Sequence, residues 1–381
     1  MSILCNSMMM GAIASLTGWA GWNGSKDGAA SSTSQAGYTP AVCQLTSTTC
    51  LVFYGDPVNS YGWAAVGTLT GDTIVWSTAV NVTGTTTVST YSIVALSSTQ
   101  VIAAFVGGPH TLKSVIINIS GTVPSGATIK QVSSGTNYSY LNIGGLDKTS
   151  STQAIVAYDD EIAGIGYVVA LSVASSVITV GTPLAFAGAY PTYTQSVSNI
   201  SSSAALVFYE DGNNSNHPTA QIISISGTTL TTNTPYVVDS SINSGSSNDT
   251  SLIAQLSATS FVVGYNNYPT TLYTAALSVS GTTITVGSRV TIESVIGTNS
   301  NNGLCNADST SVMAVYIGTS NHIYGRVCSV SGTTITLSTA VDISGSAFSN
   351  PSIANMDISH NILVFSNNSS ATVSGQVISI A

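Results

Sequence analysis

Ser278–Thr285 reads SVSGTTIT, and the same eight residues return unchanged at Ser329–Thr336. Blurred copies run through most of the chain: TLTGDTIV at Thr68–Val75, NISGTVPS at Asn118–Ser125, SVASSVIT at Ser172–Thr179 and SISGTTLT at Ser224–Thr231. The central glycine, once replaced by serine, falls at Gly71, Gly121, Ser175, Gly227, Gly281 and Gly332, at intervals of 50, 54, 52, 54 and 51 residues. A repeat of this length marks an array of identical supersecondary units. Within each copy, glycine between two Thr/Val/Ile-rich runs reads as a tight hairpin turn.

A second feature keeps the same beat. An apolar run closes on an aromatic residue at Tyr54, Phe105, Tyr158, Tyr209, Tyr265 and Tyr316, and the seventh run places Ser366 in the aromatic slot with Phe365 one residue earlier. Seven units are therefore present. In the fifth, Ser251–Leu256 alternates (strand a), Phe261–Tyr265 is continuously apolar (strand b), and Leu272–Val279 and Thr283–Ile292 flank the SGTT turn (strands c and d). Four antiparallel strands per unit, repeated radially, predict an all-β, seven-bladed β-propeller. Residues 38–381 form the propeller and residues 1–37 an N-terminal arm. Gly375–Ala381 (GQVISIA) aligns with Gly325–Ser331 (GRVCSVS), so strand d of the last unit is wanting. The arm is expected to complete that blade with a strand from within Gly11–Trp22, because an uncovered sheet edge invites association.

Composition narrows the function. Only 6% of residues are charged, and fifteen acidic against six basic residues give a net charge of −9. Nucleic-acid binding needs clustered Lys and Arg to neutralise phosphates, which this chain lacks, and the same shortage argues against an anionic membrane surface. Residues 3–22 are uncharged but interrupted by Asn6, Ser7, Gly11, Ser15, Thr17, Gly18 and Gly21. No basic residue precedes Lys26, so neither a signal peptide nor a membrane-inserted helix is expected, and synthesis in a host cytoplasm without export follows. Five cysteines form no CxxC or Cys/His metal pattern. Cys43 and Cys50 can face each other across a hairpin, but small buried residues are the favoured reading.

Closure into a ring separates two faces. The a–b and c–d turns are short and uniform, whereas the b–c loops (55–62, 159–166, 210–218, 266–271) and the d–a crossovers vary. Binding is expected on the variable face. Acidic residues collect there, including Asp56, Asp159, Asp160, Glu161, Glu210, Asp211, Asp239 and Glu293, as do Tyr61, Trp63, Tyr190, Tyr193, Tyr268 and Tyr273. From these the candidate ligand-binding set is Asp56, Tyr61, Trp63, Asp159, Asp160, Glu210, Asp211 and Tyr268, since tyrosine and tryptophan with polar neighbours suit sugar or protein surfaces. A carboxylate pair for glycoside hydrolysis is conceivable, but acids favour solvated loops in any case. Glu210–Asn216 (EDGNNSN) has alternating oxygen ligands without the terminal Glu of a calcium loop, so it reads as a turn. His110, His217, His322 and His360 share no spacing, and neither a GxSxG nor a phosphate-binding motif is present. No catalytic residue, metal or cofactor is expected.

The unit in which an apolar run ending in Tyr leads through a polar loop to a VSGTxI turn, as in YGDPVNSYGWAAVGTLTGDTIVWSTAVNV (54–82) and YEDGNNSNHPTAQIISISGTTLTTNTPYVV (209–238), resembles tandem repeats of structural and tail-associated proteins of tailed bacteriophages. The likeness covers nearly all of residues 38–381. It implies a virion protein, a head decoration, fibre or tail tip, whose arm docks to other virion proteins while its loops meet a host-surface glycan or protein. A glycan-degrading propeller and a purely structural cement protein are the alternatives.

Overall fold

The computed structural model describes residues 40–379 except 57–58, 72, 109–110, 134–140, 161–163, 188–194, 243–250, 268–270, 297–301, 319–320, 345–348, 358–359 and 368–371. The arm, with its expected closing strand, lies outside the described residues, as does Tyr268. The rest is a seven-bladed β-propeller. Six sheets repeat one plan, and the seventh has three described strands, Ser349–Asn355, His360–Asn367 and Thr372–Ser379. In the fifth blade, strand a is Ser251–Ser257, b is Ser260–Asn267 and c is Thr271–Ser280, each antiparallel to the next.

Strand d departs from the continuous run expected at Thr283–Ile292. It pairs with c in two pieces, Thr283–Val286 and Val290–Glu293, separated by Gly287–Arg289. All six complete blades break here. The first residue of each break, Ser77, Ala127, Gly181, Asn233, Gly287 or Ser338, donates its amide to a strand-c carbonyl at 2.8–3.0 Å. Side chains then replace the lost ladder bonds: Ser77 Oγ accepts from the Val66 amide at 3.0 Å and Ser338 Oγ from the Val327 amide at 2.9 Å. Pro183 and Pro235 end two of the breaks, where a residue without an N–H cannot continue the ladder.

Strand a lies innermost. Each strand a contacts that of the next blade, and Ser349–Asn355 contacts Ala41–Thr46, which closes the ring. Burial is concentrated between blades, in seven clusters, each drawn from two neighbours. Strand b is buried on both faces, as its unbroken apolar runs require. Its slot aromatic always turns toward the preceding blade: Tyr265 packs with Leu206 and Phe208, and Tyr316 with Val262 and Ala276. In the seventh blade the pair Phe365↔Ser374 matches Tyr316↔Tyr324, and Phe365 packs against Met313 and Val315 of blade six. Phe365 therefore occupies the slot, not Ser366. A one-residue shift in a strand would send every side chain to the other face.

The c–d turns hold glycine at positive φ, as at Gly281 and Gly332 (both 61°). In the third blade both central residues are left-handed, Ser175 at 47° and Ser176 at 63°. Positive φ at the first position alone fits a type II′ hairpin, whereas positive φ at both is type I′. Lacking glycine, this blade has changed turn type while keeping the two-residue loop between Ala174 and Val177. Cys43 packs toward the second blade and Cys50 toward the seventh, so the two thiols sit on opposite faces of the first sheet and are free.

Candidate functional site

The described sequence-derived residues lie at the loop-side ends of strands b in blades one, three and four and, for Tyr61 and Trp63, at the start of strand c in blade one. The structure does not bring them into one constellation. Asp56, Asp159, Asp160 and Glu210 are buried, and are not the solvated loop acids their positions suggested. Asp159 and Glu210 occupy the same place, one residue past the slot tyrosine, in neighbouring blades. Asp159 Oδ1 accepts from Gln195 Nε2 of the next blade's strand a at 3.4 Å. Asp56 closes its own loop, accepting from the backbone and side-chain nitrogens of Asn59 at 3.3 Å. The Asp160 carbonyl accepts from the Gly164 amide at 2.7 Å. Asp211 caps the short 3-10 turn Gly212–Asn214 through Asn213, so the EDGNNSN segment is a capped turn. Tyr61 is half-buried and bridges to Thr87. Trp63 stands opposite Tyr54 and packs in the cluster between blades seven and one, its buried indole N–H without a partner among the described residues. Among the described residues, no three His, Cys, Asp or Glu side chains are placed to hold a metal.

A different set converges at the outer edge between blades. In successive interfaces a crossover carboxylate accepts from the slot tyrosine of the next blade, and each of the chain's two arginines joins one such pair, Arg289 through the carboxylate and Arg326 through the tyrosine hydroxyl. Between blades four and five, Asp239 comes from the crossover of blade four. Its Oδ2 accepts from Arg289 Nη1 at 3.0 Å and from the Tyr265 hydroxyl at 3.1 Å, while Oδ1 accepts from the Ser241 amide and hydroxyl at 2.9 and 2.6 Å. The Arg289 guanidinium lies over the Tyr273 ring, 4.6 Å from its centroid, and Tyr273 is 5.9 Å from Tyr265. Between blades five and six, Glu293 Oε2 accepts from the Tyr316 hydroxyl at 3.3 Å, and the Tyr316 hydroxyl oxygen in turn accepts from Arg326 Nε at 3.3 Å. Tyr324 stacks on Tyr316 at 5.9 Å, and His322 on Tyr324 at 6.5 Å, with His322 Nδ1 2.7 Å from Asp342 Oδ2.

Burial raises the Asp239 pKa, but the Ser241 hydroxyl and amide, the Arg289 guanidinium and the Tyr265 hydroxyl outweigh it and hold the carboxyl below its ordinary value. Burial, then the nearby Asp239 charge, pushes the Tyr265 phenol well up, so it is a hydrogen-bond donor at neutral pH. Burial also raises Tyr316. Arg289 remains 38% exposed, whereas Asp239 is 11% exposed. Both sets thus combine a carboxylate, a guanidinium and aromatic rings, and the Arg289 guanidinium remains accessible. That combination offers acceptors, donors and an apolar face to a polyhydroxylated ligand. Sequence reading placed Asp239, Glu293 and Tyr273 on the variable face but passed over Tyr265, Tyr316 and both arginines. The available signal was that Asp239 and Glu293 stand 54 residues apart, the interval of Gly227 and Gly281, so the two carboxylates hold equivalent places in successive blades.

No family model matches the sequence, and no curated protein does. Solved structures do share its architecture. The BP39L lectin from Burkholderia pseudomallei aligns over 91% of this chain and 96% of its own with a TM-score of 0.67 at 12% identity. A putative 6-phosphogluconolactonase from Bacteroides uniformis aligns over 80% and 85% (TM-score 0.57, 10% identity), and AofleA from Arthrobotrys oligospora over 81% and 87% (TM-score 0.53, 10% identity). Identities this low speak to the fold, which hosts binding proteins and enzymes alike.

Proposed function

We propose that the chain is a non-enzymatic recognition propeller that binds a glycan on a host surface, displayed on a tailed-bacteriophage particle as a head decoration, fibre or tail tip. The observation that carries the reading is the use of both arginines in adjacent inter-blade clefts, each with a carboxylate and a tyrosine pair. BP39L is a lectin, and the likeness of the two folds supports a sugar-binding role without carrying it. The virion setting rests on the resemblance of the VSGTxI repeats. Docking to other virion proteins falls to the arm.

The test is a glycan array with the full chain, followed by calorimetry of each hit on Arg289→Ala and Arg326→Ala. Each substitution is expected to remove one of two sites or to weaken binding at least about tenfold, the scale of a lost charge-assisted hydrogen bond. Hits unaffected by either change would sink the site assignment. A wholly negative array would favour the cement reading, and polysaccharide turnover abolished by Asp160→Asn or Asp211→Asn would favour an enzyme.

A further inference from the structure

The two arginine clefts are alike in composition but leave different hydrogen-bonding positions open. A carboxylate has about four acceptor sites, and in the cleft of blades four and five Asp239 has four donors for them. The Ser241 amide and hydroxyl donate to Oδ1, and Arg289 Nη1 and the Tyr265 hydroxyl donate to Oδ2. Arg289 Nη1 gives its other hydrogen to the Ser241 hydroxyl oxygen at 2.7 Å. Both ends of the Asp239–Arg289 pair are therefore engaged on the Nη1 side. Nε–H and Nη2–H donate to nothing among the described residues. Those two groups form the edge of a guanidinium whose N–H bonds run parallel, the edge that holds both oxygens of a carboxylate or phosphate at once.

The surroundings orient that edge in advance. One face of the guanidinium lies on the Tyr273 ring, 4.6 Å from its centroid, while Asp239 and Ser241 fix the Nη1 end, so little freedom is left to lose on binding. The cleft of blades five and six is open in the opposite sense. Arg326 donates from Nε to the Tyr316 hydroxyl and from Nη1 to the Ser338 carbonyl, both at 3.3 Å, so its parallel edge is already in use. Glu293 Oε1 accepts from the Ser294 amide and hydroxyl, but Oε2 accepts from the Tyr316 hydroxyl alone among the described residues. A charged acceptor is available to a ligand hydroxyl there, and not at Asp239.

We propose that the Arg289 cleft binds the acidic group of a glycan, a pair of anionic oxygens held by Nε–H and Nη2–H, and that the Arg326 cleft binds uncharged sugar hydroxyls. This rests on the glycan reading above and names the ligand class of each of its two sites. Asp239 does not cancel the attraction: it sits on the Nη1 side, so the ligand oxygens stand closer to the guanidinium than to the carboxylate, and Coulomb energy falls with distance. The net charge of −9 is spread over the chain and is screened beyond about 8 Å at physiological salt.

The test is a glycan array that pairs each carboxylated glycan with its methyl ester and includes sulfated glycans, followed by calorimetry of the hits on the full chain. Carboxylated hits are expected to weaken at least about tenfold on esterification and on Arg289→Lys, which keeps the charge and loses the parallel edge, and to be unchanged by Arg326→Ala. Sulfated hits that respond to Arg289→Lys in the same way would support the site and assign its anion to a sulfate ester. On the unaltered protein, raising the salt to about 1 M, where the screening length is about 3 Å, should weaken the acidic hits several-fold and leave neutral hits unchanged. Hits confined to neutral glycans, or acidic hits indifferent to esterification, to Arg289→Lys or to salt, would overturn the assignment while leaving the glycan reading in place. An array without any hit would remove both.

Discussion

Replacing Tyr265 by Phe isolates one hydroxyl in the cleft between blades four and five. The ring itself is tolerated without its oxygen, because Phe365 fills the same slot in the seventh blade. The phenol is 1% exposed and donates to Asp239 Oδ2 at 3.1 Å, and a hydrogen bond to a charged acceptor contributes roughly 1.5–3 kcal/mol. Asp239 keeps Arg289 and both donors of Ser241, so the loss should fall at the low end, about 1–2 kcal/mol. With an unfolding entropy of about 2.1 cal/mol/K per residue, that becomes a Tm drop of about 2 °C for this chain. The pH dependence follows from the depressed carboxyl. A group whose pKa is lower folded than unfolded contributes stability above its unfolded value of about 3.9, and this is lost as pH falls through the folded value. Calorimetry should therefore show the gap between wild type and Tyr265→Phe at pH 7 and a smaller gap at about pH 2–3, where the acceptor is protonated. A gap that is absent at pH 7, or unchanged in acid, would refute the role assigned to the Asp239 carboxylate.

Two further outcomes test the architecture. Changing Ser175-Ser176 to Asn-Gly, the preferred pair for a turn with both residues at positive φ, should stabilise the protein by about 0.5–1 kcal/mol in urea unfolding, and a loss of stability would contradict the altered turn type. Burial pushes Cys50 and Cys328 up to about 12 and raises Cys43 and Cys305 further, so none of the four should react with a thiol reagent at pH 8 until the chain unfolds; an oxidised Cys43–Cys50 pair in the native protein would contradict their opposed faces.

The repeat made the architecture legible because the SGTT turn and the slot aromatic are local features with one physical requirement each: a positive φ, and a ring buried against the preceding blade. The break in strand d was less visible. Thr, Val and Ile flank it in most blades, and the glycine, asparagine and proline at the break (Gly181, Pro183, Asn233, Pro235, Gly287) were scattered among them. The slot in the seventh unit was misplaced by one residue because alignment on the apolar run leaves Phe365 and Ser366 equally placed, whereas pairing with strand c does not. The acids were read as solvated because loops usually are. Strand b extends past the tyrosine in the structure, through Asp160 in blade three and Asp211 in blade four, and carries Asp159 and Glu210 into the interface with the next blade. The arginine clefts were hidden for a different reason: each joins residues of two units, and no single repeat displays the set.

Their placement around the ring separates two tasks. Every interface has its own buried cluster, so altering polar side chains at the outer edge of one leaves the other six cores untouched, and clefts can diversify one at a time. The interface that closes the ring joins blades seven and one, through Ala354, Ile362 and Val364 against Val42, Val52 and Tyr54. The cleft of Arg289 lies between blades four and five, three blades away by the shorter path, and that of Arg326 between five and six, two away. Loss of the Arg289 set should thus leave the Arg326 set intact, and calorimetry of Arg289→Ala in which binding at both interfaces vanishes would contradict that independence.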